Sequence, residues 1–235
     1  MSRAEIFHVT PITPNAALRD VCTGRNLLVS MHRPDQLSIV LEIANKVMTD
    51  HGRFSSWIAA RKAGKDWCED DVPRDVYYAW LESFIWRDNV TAIMPDIPGA
   101  PSQINDGELL DWPFPIEKGL PVYHMDGPIE RFGRMLEKYP RVCMGWIGDP
   151  KKEPVGCDAY WRRVEEIERE LGLDIWTLVH MLRGIAVAEG RPFRGGRRQH
   201  ARTERPPLRQ PHGRTSRRQM AGASFLRRQV GGKAS

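Results

Sequence analysis

Lys46-Val47-Met48-Thr49-Asp50, closed by His51-Gly52, is the stretch on which the fold turns. It is a short apolar run, bounded by a carboxylate and a glycine, and it reads as a buried strand. Upstream, Asn26-Leu27-Leu28-Val29-Ser30-Met31 has the same form, between Arg25 and His32-Arg33-Pro34. Between the two, Gln36 to Ala44 carries Leu37, Ile39, Val40, Leu41 and Ile43 and suits a helix. Downstream, Pro73 to Phe84 is helical, with proline close to the favoured first turn. Asn89 to Asp96 is a third strand, and a helix start at Gly107–Leu110 is broken by Trp112-Pro113-Phe114-Pro115. Leu120 to His124 is a fourth strand, its proline among the first positions. Ile129 to Lys138 is a helix, Arg141 to Trp146 a fifth strand, and Asp158 to Leu171 the clearest helix, stopped by Gly172. Ile175 to His180 is a sixth strand, although Ile175 to Val187 suits a helix equally.

Strands alternating with helices imply a parallel sheet with right-handed crossovers. Roughly six such units suit an open doubly wound sheet or most of an eightfold barrel. Met31-His32-Arg33-Pro34 after the first strand is not GxGxxG, which removes the best reason for the doubly wound choice. The expectation is an α/β fold: a TIM-like (β/α) barrel over 25–193, incomplete at its C-terminal end. A leader would occupy 1–24 and a basic, disordered tail 194–235.

The chain has 235 residues, enough for one substantial core, with a hydrophobic fraction of 41%. No long uncharged apolar run predicts a membrane span, and the N-terminus lacks a signal-peptide layout, so the expected address is cytoplasmic. Cys22, Cys68, Cys143 and Cys157 form no CxxC pair, which argues against a zinc knuckle or a disulfide framework. The net charge of +5 conceals two halves. From Arg191 onward there are 13 Lys+Arg and one acid, Glu204, leaving 22 basic and 29 acidic residues before it.

Successive strands close on residues of chemical interest: Asp50, Asp96, His124, Gly145 followed by Trp146, and His180. In a parallel βα array the carboxyl ends of the strands share one rim, where substrates bind. Any one of these residues alone is more often a turn former or a cap. Five in succession favour a site. Paired carboxylates suit nucleophilic and acid–base work on a glycosidic bond. Holding a divalent metal, as in a metal-dependent hydrolase, is the weaker alternative, since no compact cluster such as HxH is present. Phe54 and Trp57, just after Asp50, suit stacking on a flat ring, although aromatics at such spacing mostly pack a core.

The segment Asp50-His51-Gly52-Arg53-Phe54-Ser55-Ser56-Trp57 resembles the D-S-G-x-F signature of the queuine/archaeosine tRNA-guanine ribosyltransferase superfamily, and most closely its DpdA-like (deoxypurine in DNA) branch. Met94–Gly99, Pro121–Met125, Met144-Gly145-Trp146, His180–Gly184 and Pro192-Phe193 follow in the same order, so the resemblance covers about 26–193. It implies a glycosyltransferase that exchanges guanine in DNA for a 7-deazaguanine such as preQ0, with no cofactor. By that resemblance Asp50 is the catalytic acid/base and Phe54 stacks on the base. Asp96 accepts hydrogen bonds from the purine edge. His124 stands where the tRNA enzymes carry a glutamine, and Gly145 offers its backbone, with Trp146 and His180 among the binding residues.

The departures are as informative. His51 and Arg53 replace small residues and are expected to crowd or charge the pocket beside Asp50. The C-x-C-x-x-C zinc motif is absent. The family's nucleophilic aspartate is missing: after Pro192-Phe193 the chain reads Arg194-Gly195-Gly196-Arg197-Arg198-Gln199-His200, and no aspartate follows Asp174. Arg198-Gln199-His200 can be encoded so that a one-base shift yields Asp-Ser-Thr, which suggests a frameshift near Phe193 and an inactivated enzyme. The alternative is a nonenzymatic nucleic-acid-binding protein acting through its basic tail. Of the two, the frameshift is the preferred reading of the tail.

Overall fold

The computed structural model describes residues 5–149, 151–184 and 187. The chain divides into Met1–Gly196 and a short unit, Arg197–Ser235. The second unit lies outside the described residues, as does Pro192-Phe193, and the reading of 194–235 as a disordered, out-of-frame tail falls there with them.

Strands and helices alternate: β1 (Phe7–Val9), α1 (Asn15–Cys22), β2 (Asn26–Ser30), α2 (Leu37–Ile43), β3 (Val47–Asp50), α3 (Arg53–Ala63), α4 (Arg74–Glu82), β4 (Val90–Ile93), α5 (Ser102–Leu110), β5 (Gly119–Leu120), β6 (Val122–His124), α6 (Ile129–Lys138), β7 (Val142–Gly145), α7 (Asp158–Leu171) and β8 (Val179–Met181). All strand pairs are parallel, in the orders β1-β2-β3-β4-β5 and β6-β7-β8. Pro121, which has no N–H to donate, separates β5 from β6, and its carbonyl accepts the Cys143 N–H at 2.8 Å. The two sheets therefore meet along one stretch of chain, Gly119 to His124.

Strand alternation sorts side chains into two layers. Leu27, Val29, Val47, Val90 and Ala92 face the helices together with Leu18, Tyr77 and Leu81. On the C-terminal strands, Tyr123, Val142 and Met144 do the same against Phe132, Met135, Tyr160, Val164 and Ile167. The opposite faces supply a smaller interior cluster of Phe7, Met48, Ile93, Leu120, Val122 and Cys143, with Leu28 and Leu182 against it. The sheets curl so far around this cluster that the rings of Phe7 on β1 and His180 on β8 meet edge to face, 5.4 Å between centroids. Among the described residues no ladder joins β1 to β8.

The helices follow from periodicity. On α6, Ile129, Phe132 and Met135 fall on one face, and the Phe132 ring stacks on Tyr123 at 4.4 Å. On α7, Tyr160, Val164 and Ile167 do the same; the Cys157 sulfur accepts the Tyr160 N–H at the helix start. Four readings change. The supposed leader carries β1, paired Phe7↔Asn26 to β2, and α1, whose Leu18 and Cys22 are buried. α5 begins at Ser102 instead of Gly107, and α3 was not anticipated. Beyond Gly172 the chain makes a tight turn at Leu173–Thr177 and only then adds β8, so the ambiguous segment is a short strand displaced toward Met181.

Candidate functional site

The alternation that builds the interior also builds the site. Leu28, Met48, Val122 and Cys143 belong to the interior cluster. Two residues further along the same strands stand Ser30, Asp50, His124 and Gly145, which therefore face the same way one layer higher, at the carboxyl rim. Register agrees: Ser30 is level with Asp50, and His124 with Gly145.

Asp50 accepts hydrogen bonds from the Ser30 hydroxyl and from the backbone N–H groups of Gly52 and His51. Gly52 makes this turn possible. Its φ is +91°, and a Cβ there would lie 3.0 Å from the Cβ of His32 and 3.1 Å from the Ser30 hydroxyl. Burial, and then the neighbouring Asp96 carboxylate, push Asp50 up to about 6 against the downward pull of its three donors. Asp96 stands just beyond β4, and His124 Nε2 donates to its Oδ2 at 2.7 Å. Asn105 on α5 fixes the Asp96 loop, accepting the Ile97 N–H at 2.7 Å and donating to the Ile97 and Ala100 carbonyls. Arg163 on α7 fixes the loop beyond His124, donating to the carbonyls of Met125 and Gly127 and to the Tyr123 hydroxyl. A Cβ on Gly145 would lie 3.8 Å from the His124 ring, which places that backbone beside the imidazole.

Asp50, Asp96, His124 and Gly145 are thus brought together at one rim. His180 is not. It is level with Cys143, a layer below Gly145, and its ring lies against Phe7. Burial, with Arg141 contributing, pushes it down to about 4, so it is neutral at pH 7. Trp146 follows Gly145, but its indole N–H donates to the Glu153 carbonyl at 2.8 Å and its ring packs edge-on against Tyr160.

The two departures beside Asp50 find other places. The Arg53 guanidinium pairs with Glu108 on α5 at 2.6 Å and donates to the Val72 carbonyl, so its charge is neutralised. Glu108 also holds Arg74 at 3.1 Å. His51 is buried with its ring 4.8 Å from that of Tyr77, and burial pushes it down to about 4. Tyr77 in turn bonds the Thr49 hydroxyl and the Ile93 carbonyl, behind the rim. The expected crowding is relieved because both side chains engage the surrounding helical layer.

Phe54 lies on α3 with Trp57 at 5.7 Å, tilted by 47°. The Arg183 guanidinium sits 4.3 Å from the Phe54 ring centre and donates to the Trp146 carbonyl. Ser30 and Arg183 were missed from the sequence. Ser30 had a usable signal, as the last residue of a strand level with Asp50. Arg183 had none, since only the turn after β8 aims it at α3.

Among the described residues no group of three or more His, Cys, Asp and Glu is arranged to hold a metal ion, and no helix is long and apolar enough to cross a membrane. A cavity of about 440 Å³ opens at the opposite ends of the strands, lined by Phe7, Lys46, Asn89, Gly119, Leu120 and Arg141 among others. Compared with known proteins, the chain matches no family model, no curated protein and no solved structure.

Proposed function

We propose that the Asp50–Asp96–His124 rim is the base pocket of a guanine transglycosylase-type fold, an incomplete (β/α) barrel whose ancestral reaction exchanged guanine in DNA for a 7-deazaguanine such as preQ0. The observation that carries this reading is the convergence of two carboxylates and an imidazole from three strands at a single rim, with Asp50 raised to about 6. A carboxyl group poised there both takes and returns a proton near neutral pH. Asp96, oriented by His124, presents its remaining lone pairs to the N–H edge of a guanine. The target nucleotide would have to leave the duplex stack to arrive there.

Exchange also needs a nucleophile to hold the sugar while bases are swapped. No aspartate follows Asp174, so the chain as it stands would bind a base without exchanging it. The test has two parts. Guanine and preQ0 titrated calorimetrically into the purified chain should bind, and Asp96→Asn should weaken both; no heat at millimolar base defeats the pocket. The gene's nucleotide sequence around Phe193 should hold a second frame encoding an Asp-Ser-Thr segment. A chain rebuilt in that frame should release labelled guanine from DNA when preQ0 is supplied. The charge of the last 45 residues, 13 Lys+Arg against Glu204, supports a second reading, a nucleic-acid-binding arm. Truncation after Gly190 should then abolish DNA binding and flatten its salt dependence.

A further inference from the structure

We propose that Arg183 is a specificity-determining cap on this pocket: its guanidinium occupies the face of Phe54 on which a flat ring would stack, so that only a ligand able to replace a cation–π contact by ring stacking gains entry. The inference rests on the purine-pocket reading. A planar guanidinium 4.3 Å from the centre of the Phe54 ring stands where an aromatic ligand would lie. With Trp57 tilted against Phe54 at 5.7 Å, the ring is flanked by two protein groups, of which Arg183 is the one on a turn. Arg61 repeats the motif one turn along α3, 4.7 Å from the centre of Trp57. Two rings of α3, Phe54 and Trp57, thus stand between Arg183 from the turn after β8 and Arg61 of α3 itself.

The cap is held by opposed small terms. The contact with Phe54 and the hydrogen bond to the Trp146 carbonyl favour it. Desolvation opposes it, because the guanidinium gives up hydration there and burial pushes Arg183 below its ordinary value. A side chain so balanced can leave without disturbing the strands. A flat ring regains by stacking on Phe54 what the guanidinium gives up, whereas a saccharide or an aliphatic ligand does not.

The experiment compares the chain with Arg183→Ala and Arg183→Lys by calorimetric titration of guanine. Removing the cap should tighten guanine binding by roughly 2- to 30-fold, the span of a cation–π contact, with the lysine variant in between. Equal or weaker binding by Arg183→Ala overturns the cap and leaves the pocket standing. Guanine binding by none of the three proteins defeats the pocket reading instead, and the cap is then decided without ligand. Phenylglyoxal labelling followed by peptide mass mapping should show Arg183 reacting several-fold faster in Phe54→Leu than in the parent. An unchanged rate overturns the cap.

Discussion

The two ends of the curled sheet treat their carboxylates in opposite ways. At the amino rim Glu5 bonds both Lys46, which precedes β3, and Arg141, which precedes β7. Burial works to raise Glu5, but these two cations more than offset it and hold it below its ordinary value. At the carboxyl rim Asp50 meets Asp96, a like charge, and both burial and that neighbour raise it. A carboxylate matched to cations ties strands together; a carboxylate facing another one stores electrostatic tension that a bound ligand can relieve. A cavity opens at the amino rim, whereas the two like-charged carboxylates stand at the carboxyl rim.

The sharpest way to break this contrast is to disturb what supports the carboxyl rim from outside. Glu108→Ala would strand Arg53, whose side chain is only 3% exposed, and should cost about 3–5 kcal/mol in chemical denaturation. A loss well below that would mean that Arg53 finds other partners and that α3 is not pinned by the pair. Next in size, Asp96→Asn should weaken guanine binding by about 10- to 100-fold, the worth of a charge-assisted hydrogen bond. A calorimetric affinity unchanged by this substitution would separate Asp96 from recognition.

Asp50→Asn sharpens the comparison through pH. Asp50 has its folded value, about 6, above its ordinary 3.8. The folded chain thus holds this proton more tightly, and stability falls as pH rises from about 4 to 6. Removing the ionisable group should make the variant more stable than the parent at pH 8 by about 1–3 kcal/mol, with the gain gone at pH 4. Urea midpoints at the two pH values read this directly, and a destabilised variant at pH 8 would refute the tension. Glu5→Gln should behave in the opposite sense and more weakly. Its paired carboxylate stabilises the fold above its ordinary 4.5, and that stabilisation is lost as pH falls through the lowered folded value. The variant should lose about 1 kcal/mol at pH 7 and match the parent in acid, as thermal melts at each pH would show.

Much of the fold was legible because its signals are local. α6 matched its expected limits, Ile129 to Lys138, and α7 matched Asp158 to Leu171, since each carries its apolar stripe and its stop within a few residues. β2, β3 and β7 were visible as short apolar runs for the same reason. β1 was not, because Phe7–Val9 is three residues long and gains its identity only from pairing with Asn26–Leu28. α3 was hidden because its helical span is set by Gly52 and Gly64 at positive φ and by the buried Arg53–Glu108 pair, not by an apolar stripe.

The same division runs through the site. Short apolar runs were enough to put Asp50, His124 and Gly145 at strand ends, because each run carries its own stop in the sequence. Depth, pairing and charge state were not contained in those runs. That His180 lies a layer too low, that Arg53 finds Glu108, that Ser30 bonds Asp50 and that Arg183 covers Phe54 all depend on register between strands and on distances across the fold. Those quantities exist only once the sheet has curled, because electrostatic and stacking energies depend on separation in space and not on separation along the chain.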